Sequence, residues 1–411
     1  MKFKGLWFIF LFLMNVQAFS QITYFVKYRS YISSSLINEK ISTQSIFPQN
    51  QLKKSSANFK AGTLLITHFA WNLGSDDAVL SKIVKVTLNN PSDSSTFLDE
   101  IRSDPDVDFV QLANVYKIDY VPNDSLITQQ WGLNKIQAFD AWNITQGSDS
   151  VLLGIIDTGI DYKHPDLKNK IFYNSGEIGL DKNGKDKRFN GIDDDDNGFI
   201  DDYMGWDFTN RTGYPFDSTS GDYLHWDNDP NDEQGHGTAI AGIAAAETNN
   251  ISGIAGVAPK IKILNIRAFD PSGYGDEDDV ASAILYAVKM GAKVINMSFG
   301  DVSFSYVLKD VIKYVYSKNV VLVASSGNSG DDQAHYPSGY SEVISVGNSN
   351  NYDGVAPSSS YSSTLDLVAP GSSILSTDKS GGYSDVSGTS ASSPFEAELL
   401  LHLLLFLHQQ G

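Results

Sequence analysis

Apolar residues fall along this chain in two textures that meet near residue 120. Before that point, strand-like apolar runs occupy Tyr24–Tyr28, Ile83–Leu88 and Val107–Tyr116. Phe97, Leu98 and Ile101 recur at helical spacing and predict a helix over Ser95–Ser103. These elements describe a small α+β unit over residues 21–120. It ends in Tyr120-Val121-Pro122-Asn123-Asp124, where proline and polar residues break the pattern and predict an exposed linker. Beyond the linker, Val151–Ile156 is continuously apolar, as a strand buried on both faces requires. Val294–Met297, Val320–Ala324 and Val343–Val346 read the same way. Asp278–Met290 carries the stripe Val280, Ile284, Leu285, Val288, begins among acids and is stopped by Gly291, so it predicts a helix. Another is expected around Val307–Tyr316. Strand, helix, strand in repetition predicts an α/β fold with a mostly parallel sheet and crossovers.

The first residues carry a different pattern. Lys2 and Lys4 precede an apolar run from Leu6 to Met14, and Ala18-Phe19-Ser20 stands before Gln21. A basic start, a short apolar stretch and a small-x-small site predict a signal peptide over residues 1–20, hence export to the extracellular space or periplasm. The run is too short to span a bilayer. With 41% hydrophobic and 19% charged residues the remainder is globular in character. A net charge of −19 argues against a nucleic-acid partner and favours secretion or cation binding. No cysteine is present, so neither a disulfide nor a thiol nucleophile is available.

Ligands of parallel sheets gather beyond the carboxyl ends of the strands. Asp157, Ser298-Phe299-Gly300 and Ser325-Ser326-Gly327-Asn328 all follow predicted strands, which places them on one edge. Gly235-His236-Gly237-Thr238 opens an alanine-rich helix expected from Ala239 to Ala246. An imidazole there suits a general base, and its flanking glycines permit close backbone approach to a substrate. Asp157 either caps a turn through Thr158 and Gly159 or pairs with a histidine, which would offset the cost of burying its charge. In Ser387-Gly388-Thr389-Ser390-Ala391-Ser392-Ser393-Pro394 the proline suits the first turn of a helix. Ser390 then sits at a helix N-terminus that favours developing negative charge. His68 stands alone and reads as a packed histidine. The chain order Asp157, His236, Ser390 is that of the subtilisins and differs from those of chymotrypsin and the α/β-hydrolases.

On Asp157-Thr158-Gly159-Ile160-Asp161, Gly235-His236-Gly237-Thr238 and Gly388-Thr389-Ser390, the chain from Trp131 to Pro394 resembles a subtilisin-like serine protease, the peptidase S8 or subtilase family. The resemblance implies a three-layer α/β peptidase domain over residues 121–411. It implies that Asp157 orients, His236 acts as base and Ser390 attacks, with an acyl-enzyme intermediate. Asn328 would be the oxyanion-hole amide, beside the Ser390 backbone N–H. Ser298, Phe299, Gly300, Ser325, Ser326 and Gly327 would line the cleft and pair with protein or peptide substrates as added strands. Residues 21–120 resemble the family's propeptide, an intramolecular chaperone and inhibitor of a zymogen, with the cut between Asp119 and Thr128. The mature protein is expected to be a monomer. A permanent binding domain is the other reading of the N-terminal unit.

The densest charge run is Asn190-Gly191-Ile192-Asp193-Asp194-Asp195-Asp196-Asn197-Gly198-Phe199-Ile200-Asp201-Asp202. Asp193, Asp195 and Asn197 at alternate positions, then Gly198, match the first half of a calcium-binding loop. Met204 stands where an EF-hand would need glutamate, with Asp201 and Asp202 nearby. Structural calcium is therefore expected, against the alternative of a solvated acidic loop. The resemblance adds Asp166, which would join the loop Asn249–Ile254 at a second site. Asp181-Lys182-Asn183 is a weaker candidate.

After Ser390 the chain departs from the family. Ala391 replaces a bulky residue, Phe395-Glu396-Ala397-Glu398 puts two acids on a helix expected to be buried, and Leu399 to Leu407 is nearly unbroken leucine. This predicts a truncated or frameshifted tail with exposed apolar surface. Two functions remain open: an exported endopeptidase made as a zymogen, or a catalytically dead, calcium-loaded binding protein. An esterase of the α/β-hydrolase type is disfavoured, since no Gly-x-Ser-x-Gly contains Ser390.

Overall fold

The computed structural model describes residues 21–44, 64–68, 79–114, 121–211, 219 and 221–397. The chain divides into two compact units, Met1–Ile118 and Asp119–Gly411. The predicted signal peptide and the leucine run lie outside the described residues, as do Tyr120 of the linker and Glu398.

In the smaller unit, strands β1 (Ile22–Tyr28), β2 (Leu64–His68), β3 (Ile83–Leu88) and β4 (Val107–Leu112) form an antiparallel sheet in the order β2-β3-β1-β4. Helices α1 (Ser34–Ser42) and α2 (Ser94–Arg102) bury Ile37, Phe97 and Ile101 with Val26, Val84 and Val86 in one core. The pattern predicted β1, β3 and α2 closely. It ran β4 on to Tyr116, whereas the strand ends at Leu112 and residues 115–116 lie outside the described residues. It missed α1, a polar helix that buries only Ile37 and Lys40, started by the Ser33 hydroxyl accepting the Leu36 N–H.

The larger unit is built on a seven-stranded sheet in which every pair is parallel. Two short helices, α3 (Trp131–Lys135) and α4 (Ala138–Ala141), precede β5 (Leu152–Asp157). β6 (Gly205–Asp207), helix α5 (His236–Ala245), β7 (Lys262–Arg267), helix α6 (Glu277–Lys289) and β8 (Val294–Met297) follow. Then come helix α7 (Tyr306–Ser317), β9 (Val321–Ser325), β10 (Ile344–Ser349), β11 (Leu367–Pro370), the hairpin β12 (Ile374–Asp378) and β13 (Gly382–Val386), and helix α8 over 389–397. The strand order is β11-β10-β9-β8-β5-β7-β6.

β5 explains the layering. Leu153 and Ile155 enter a core shared with Ile240 and Ala244 of α5 and Phe395 of α8, while Leu152 and Ile156 enter the opposite core with Ile284 of α6 and Ile312 of α7. Alternate side chains point to opposite faces, so one apolar run fills both sides of a three-layer α/β sandwich. β7 was not predicted because its apolar run is interrupted: Asn265 and Arg267 are buried through polar partners.

Two predicted helix starts move. α5 begins at His236 itself, three residues before the expected Ala239. In α8 Ser390 is the second helical residue, and Pro394 falls in the second turn instead of the first. Proline there has no N–H for the Ser390 carbonyl. That carbonyl instead accepts the Ser298 hydroxyl at 2.9 Å and the Ser393 hydroxyl at 3.3 Å.

Candidate active site

β5, β8 and β9 are neighbours, and the segments beyond their carboxyl ends line an open cleft of about 650 Å³. Asp157 is the last residue of β5 and is 3% exposed. Its Oδ1 accepts the His236 Nδ1–H at 2.7 Å and the Thr158 N–H at 2.8 Å. The bond to Nδ1 leaves Nε2 as the acceptor of neutral His236. Burial pulls the imidazole pKa down, but the Asp157 charge and hydrogen bond, with Asp232 behind them, outweigh it and hold it above the ordinary value.

The glycines beside His236 serve packing. Gly235 takes a left-handed conformation (φ 116°), and a Cβ on Gly237 would lie 2.1 Å from the Gly159 carbonyl oxygen. Gly237 therefore lets α5 approach the end of β5, where the sequence suggested access for a substrate.

Ser390 lines the same cleft as His236. Among the described residues its hydroxyl donates to the Ser298 carbonyl at 2.9 Å rather than to the imidazole. Asn328 lies against the start of α8: its Oδ1 accepts the Thr389 N–H at 2.8 Å and the Thr389 hydroxyl at 3.1 Å. With the oxygen so held, the amide NH₂ is the end left to donate. Gly327 also takes a left-handed conformation (φ 104°), and a Cβ there would meet the His335 ring at 2.6 Å.

The remaining cleft residues divide. Phe299, Gly300, Ser325, Gly327 and Asn328 line the cleft. Ser298 lines it too, but its side chain is turned inward, accepting from Asn296 Nδ2 at 2.9 Å and bonding Ser393 Oγ at 2.8 Å. Ser326 is not among the lining residues; its N–H donates to the Val346 carbonyl and its hydroxyl to the Ser360 carbonyl. The walls carry the acids Glu277 and Asp301 and, among the described residues, no lysine or arginine.

Away from the cleft, the acidic run folds back on itself. Asp193 and Asp195 come together with Glu177, their carboxylate oxygens within 4.8 Å of one another. Glu177 is fully buried; one oxygen accepts the Asp194 N–H at 2.7 Å and Oε2 has no partner. Burial first, then repulsion from Asp195, Asp202 and Asp194, pushes it up to about 7. An orphaned buried carboxylate oxygen among two more carboxylates fits a hard divalent cation.

Asp193 also accepts the Asn197 and Gly198 N–H groups, Asp195 accepts the Asn197 N–H and Asn174 Nδ2, and the other predicted ligands are hydrogen-bonded too. Asp201 accepts the Gly191 N–H. Asp202 accepts from Asn174, Asn197 and Tyr286, and Asn197 spends its amide on Asp202 and its oxygen on the Phe199 N–H. Met204 is a core residue. Asp166 lies elsewhere: it accepts from Asn250 Nδ2, the Ile254 N–H and the Tyr383 hydroxyl, and Asp124 meets the same loop by accepting the Asn249 and Asn250 amides. Asp181 shapes a turn through the Asn183 and Lys185 amides. A second acidic group, Asp207, Asp222 and Asp227, contains Asp207 already paired with Arg267 at 3.1 Å.

Sequence reasoning missed Glu177 and Asp232. Glu177 stands 16 residues before Asp193 with no motif around it. Asp232 carried a readable signal, an aspartate just ahead of a helix where capping side chains are expected.

A three-layer sheet with a histidine–aspartate pair, a helix-start serine and a side-chain amide in one cleft is the arrangement of a subtilisin-like serine protease. Residues 148–406 match the Subtilase family, and the chain belongs to that family of serine-type endopeptidases. It is 35% identical over 73% of its length to the thermophilic serine proteinase of Bacillus sp. (strain AK1), and spans 63% of that protein. With thermitase of Thermoactinomyces vulgaris it shares 38% identity over 68% of this chain and 83% of the relative. A solved protease structure from Pseudoalteromonas arctica PAMC 21717 superposes with a TM-score of 0.56 at 26% identity, covering 69% of this chain and 86% of that one. Among the described residues no helix is long and apolar enough to cross a membrane.

Proposed function

We propose that this protein hydrolyses peptide bonds as a serine endopeptidase through Asp157, His236 and Ser390. The observation that carries the reading is the 2.7 Å bond from His236 to Asp157 in a cleft shared with Ser390 and Asn328. In the free protein the Ser390 hydroxyl rests on the Ser298 carbonyl. Rotation about its Cα–Cβ bond turns it to His236 Nε2, which takes the proton as the oxygen attacks the scissile carbonyl. The tetrahedral oxyanion is met by the Asn328 amide and the Ser390 backbone N–H at the start of α8. His236, now cationic and stabilised by Asp157, returns the proton to the leaving amine, and water then cleaves the acyl-enzyme by the same route.

The same reading assigns residues 21–120 as an inhibitory propeptide and residues 1–20 as a secretion signal. It also assigns calcium to Glu177, Asp193 and Asp195, where the ion would neutralise the buried Glu177 beside half-buried Asp193 and exposed Asp195 and brace the loop. The decisive test is labelling with a fluorophosphonate in calcium-containing buffer. Labelling of the wild type that disappears in Ser390→Ala supports the endopeptidase; a folded wild type that never labels favours the inactive binding protein.

A further inference from the structure

We infer that Asp232 is a positioning residue for His236: one buried carboxylate fixes the loop that presents the imidazole and ties it to the end of β5. The inference rests on the endopeptidase reading above for its consequence in turnover, but its structural basis stands separately.

The first N–H groups of a helix have no partner inside the helix. Here five consecutive amides, from Gln234 to Thr238, are all taken by side chains. Asp232 Oδ1 accepts the Gln234 N–H at 2.9 Å and the Gly235 N–H at 2.7 Å, and Oδ2 accepts the Thr238 N–H at 2.9 Å. The His236 N–H goes to Gln234 Oε1 at 2.8 Å, and the Gly237 N–H to Thr158 Oγ1 at 3.0 Å. Thr158 in turn donates its hydroxyl to Asp232 Oδ1 at 3.0 Å, and the Thr238 hydroxyl donates to Oδ2 at 2.6 Å. Asp232 is 4% exposed and accepts five bonds, far more than a capping role needs.

Two consequences follow. Thr158 adjoins Asp157, so the carboxylate couples the backbone beside the acid to the backbone on both sides of the base. And neither oxygen can become an NH₂ group without facing two or three donors, so an isosteric amide must displace the loop. The charged groups around His236 are few. Asp157 on β5 and Asp232 before α5 face it, Lys379 on the β12–β13 hairpin places its amine on the Glu233 carbonyl, Glu233 pairs with Arg267, and Asp161 accepts the Lys163 and Ser380 amides.

The test compares Asp232→Asn and Thr158→Val in the full chain, using turnover of a peptide substrate and NMR titration of the His236 imidazole. For Asp232→Asn, kcat falls roughly 10- to 100-fold while KM stays within about twofold, since only the presentation of the base changes. Its imidazole midpoint also moves down, because a neighbouring negative charge is gone. Thr158→Val keeps both carboxylates, so kcat falls with the midpoint unmoved, and it serves if Asp232→Asn fails to fold. Wild-type kcat and midpoint in Asp232→Asn, even with a lowered Tm, would overturn the inference, as would wild-type kcat in Thr158→Val. The titration reads Asp232 whether or not the chain turns over; failure of the wild type to label at Ser390 would sink the endopeptidase reading alone.

Discussion

Asp232 and Glu177 are both buried carboxylates in the larger unit, and their surroundings could hardly differ more. Asp232 accepts five hydrogen bonds and organises the loop before α5. Glu177 accepts one and keeps an oxygen with no partner, while Asp193 and Asp195 crowd it. Taking a carboxylate out of water is tolerable when donors replace the lost hydration, when a cation does so, or when the group takes up a proton. Asp232 follows the first route and becomes part of the active-site frame. Glu177, beside Asp193 and Asp195, follows the second in the function proposed above. Glu396 on α8, 9% exposed, takes the third: burial alone pushes it up to about 7.

The largest expected effect concerns a fourth acid that mixes these cases. Asp157 gives Oδ1 to His236 and the Thr158 amide, while Oδ2 has no partner. Asp157→Asn should lower kcat by roughly 10⁴-fold, the loss typical when an amide replaces the triad acid. Because Asp157 holds the His236 pKa above its usual value, the acid limb of kcat/KM in the wild type should lie above about 6.5 and shift down in the variant. A pH–rate profile checks both, and an unshifted limb would break the pairing.

For Glu177, chelation with EDTA should lower Tm by several degrees, since a cation at a hundred times its Kd contributes about 3 kcal/mol. Glu177→Gln should shrink that response. A melt indifferent to EDTA in the wild type would leave the acidic cluster without its cation and undo the contrast with Asp232.

The smallest effect is the most sharply pH-dependent. Glu396 ionises near 4.5 when unfolded and near 7 when folded, so the folded state holds its proton longer and stability is lost as pH rises from 4.5 through 7. Glu396→Gln should therefore raise stability at pH 8, by roughly 3 kcal/mol at most, and leave it unchanged at pH 4. Thermal melts at the two pH values decide it.

Much of this was legible in advance where the physics is local. An apolar run such as 151–156 encodes burial on both faces, and Val294–Met297 is the strand β8 residue for residue. The three glycine-flanked motifs lie at strand and helix ends because the sheet demands turns there. What resisted prediction was settled by distant partners. β7 hides an asparagine bonded to the Pro230 carbonyl and an arginine shared by Asp207 and Glu233, so it lacks an apolar signature. Asp201, Asp202 and Glu177 could not be sorted from the letters. Tyr286, 84 residues away from Asp202, donates its hydroxyl to that acid, a partner no local pattern announces. The EF-hand comparison looked for its missing glutamate downstream, where Met204 enters the core; the buried glutamate lies upstream instead.

Pro394 deprives the Ser390 carbonyl of a backbone partner in its own helix, and the hydroxyl of Ser298, just past β8, takes that place beside the longer bond from Ser393. Ser390 is thereby moored beside the sheet at both of its ends, hydroxyl and carbonyl alike meeting the same neighbour. A shift of 395–397 would be absorbed at the proline, and the resting place of the serine would be inherited from the strand beneath it.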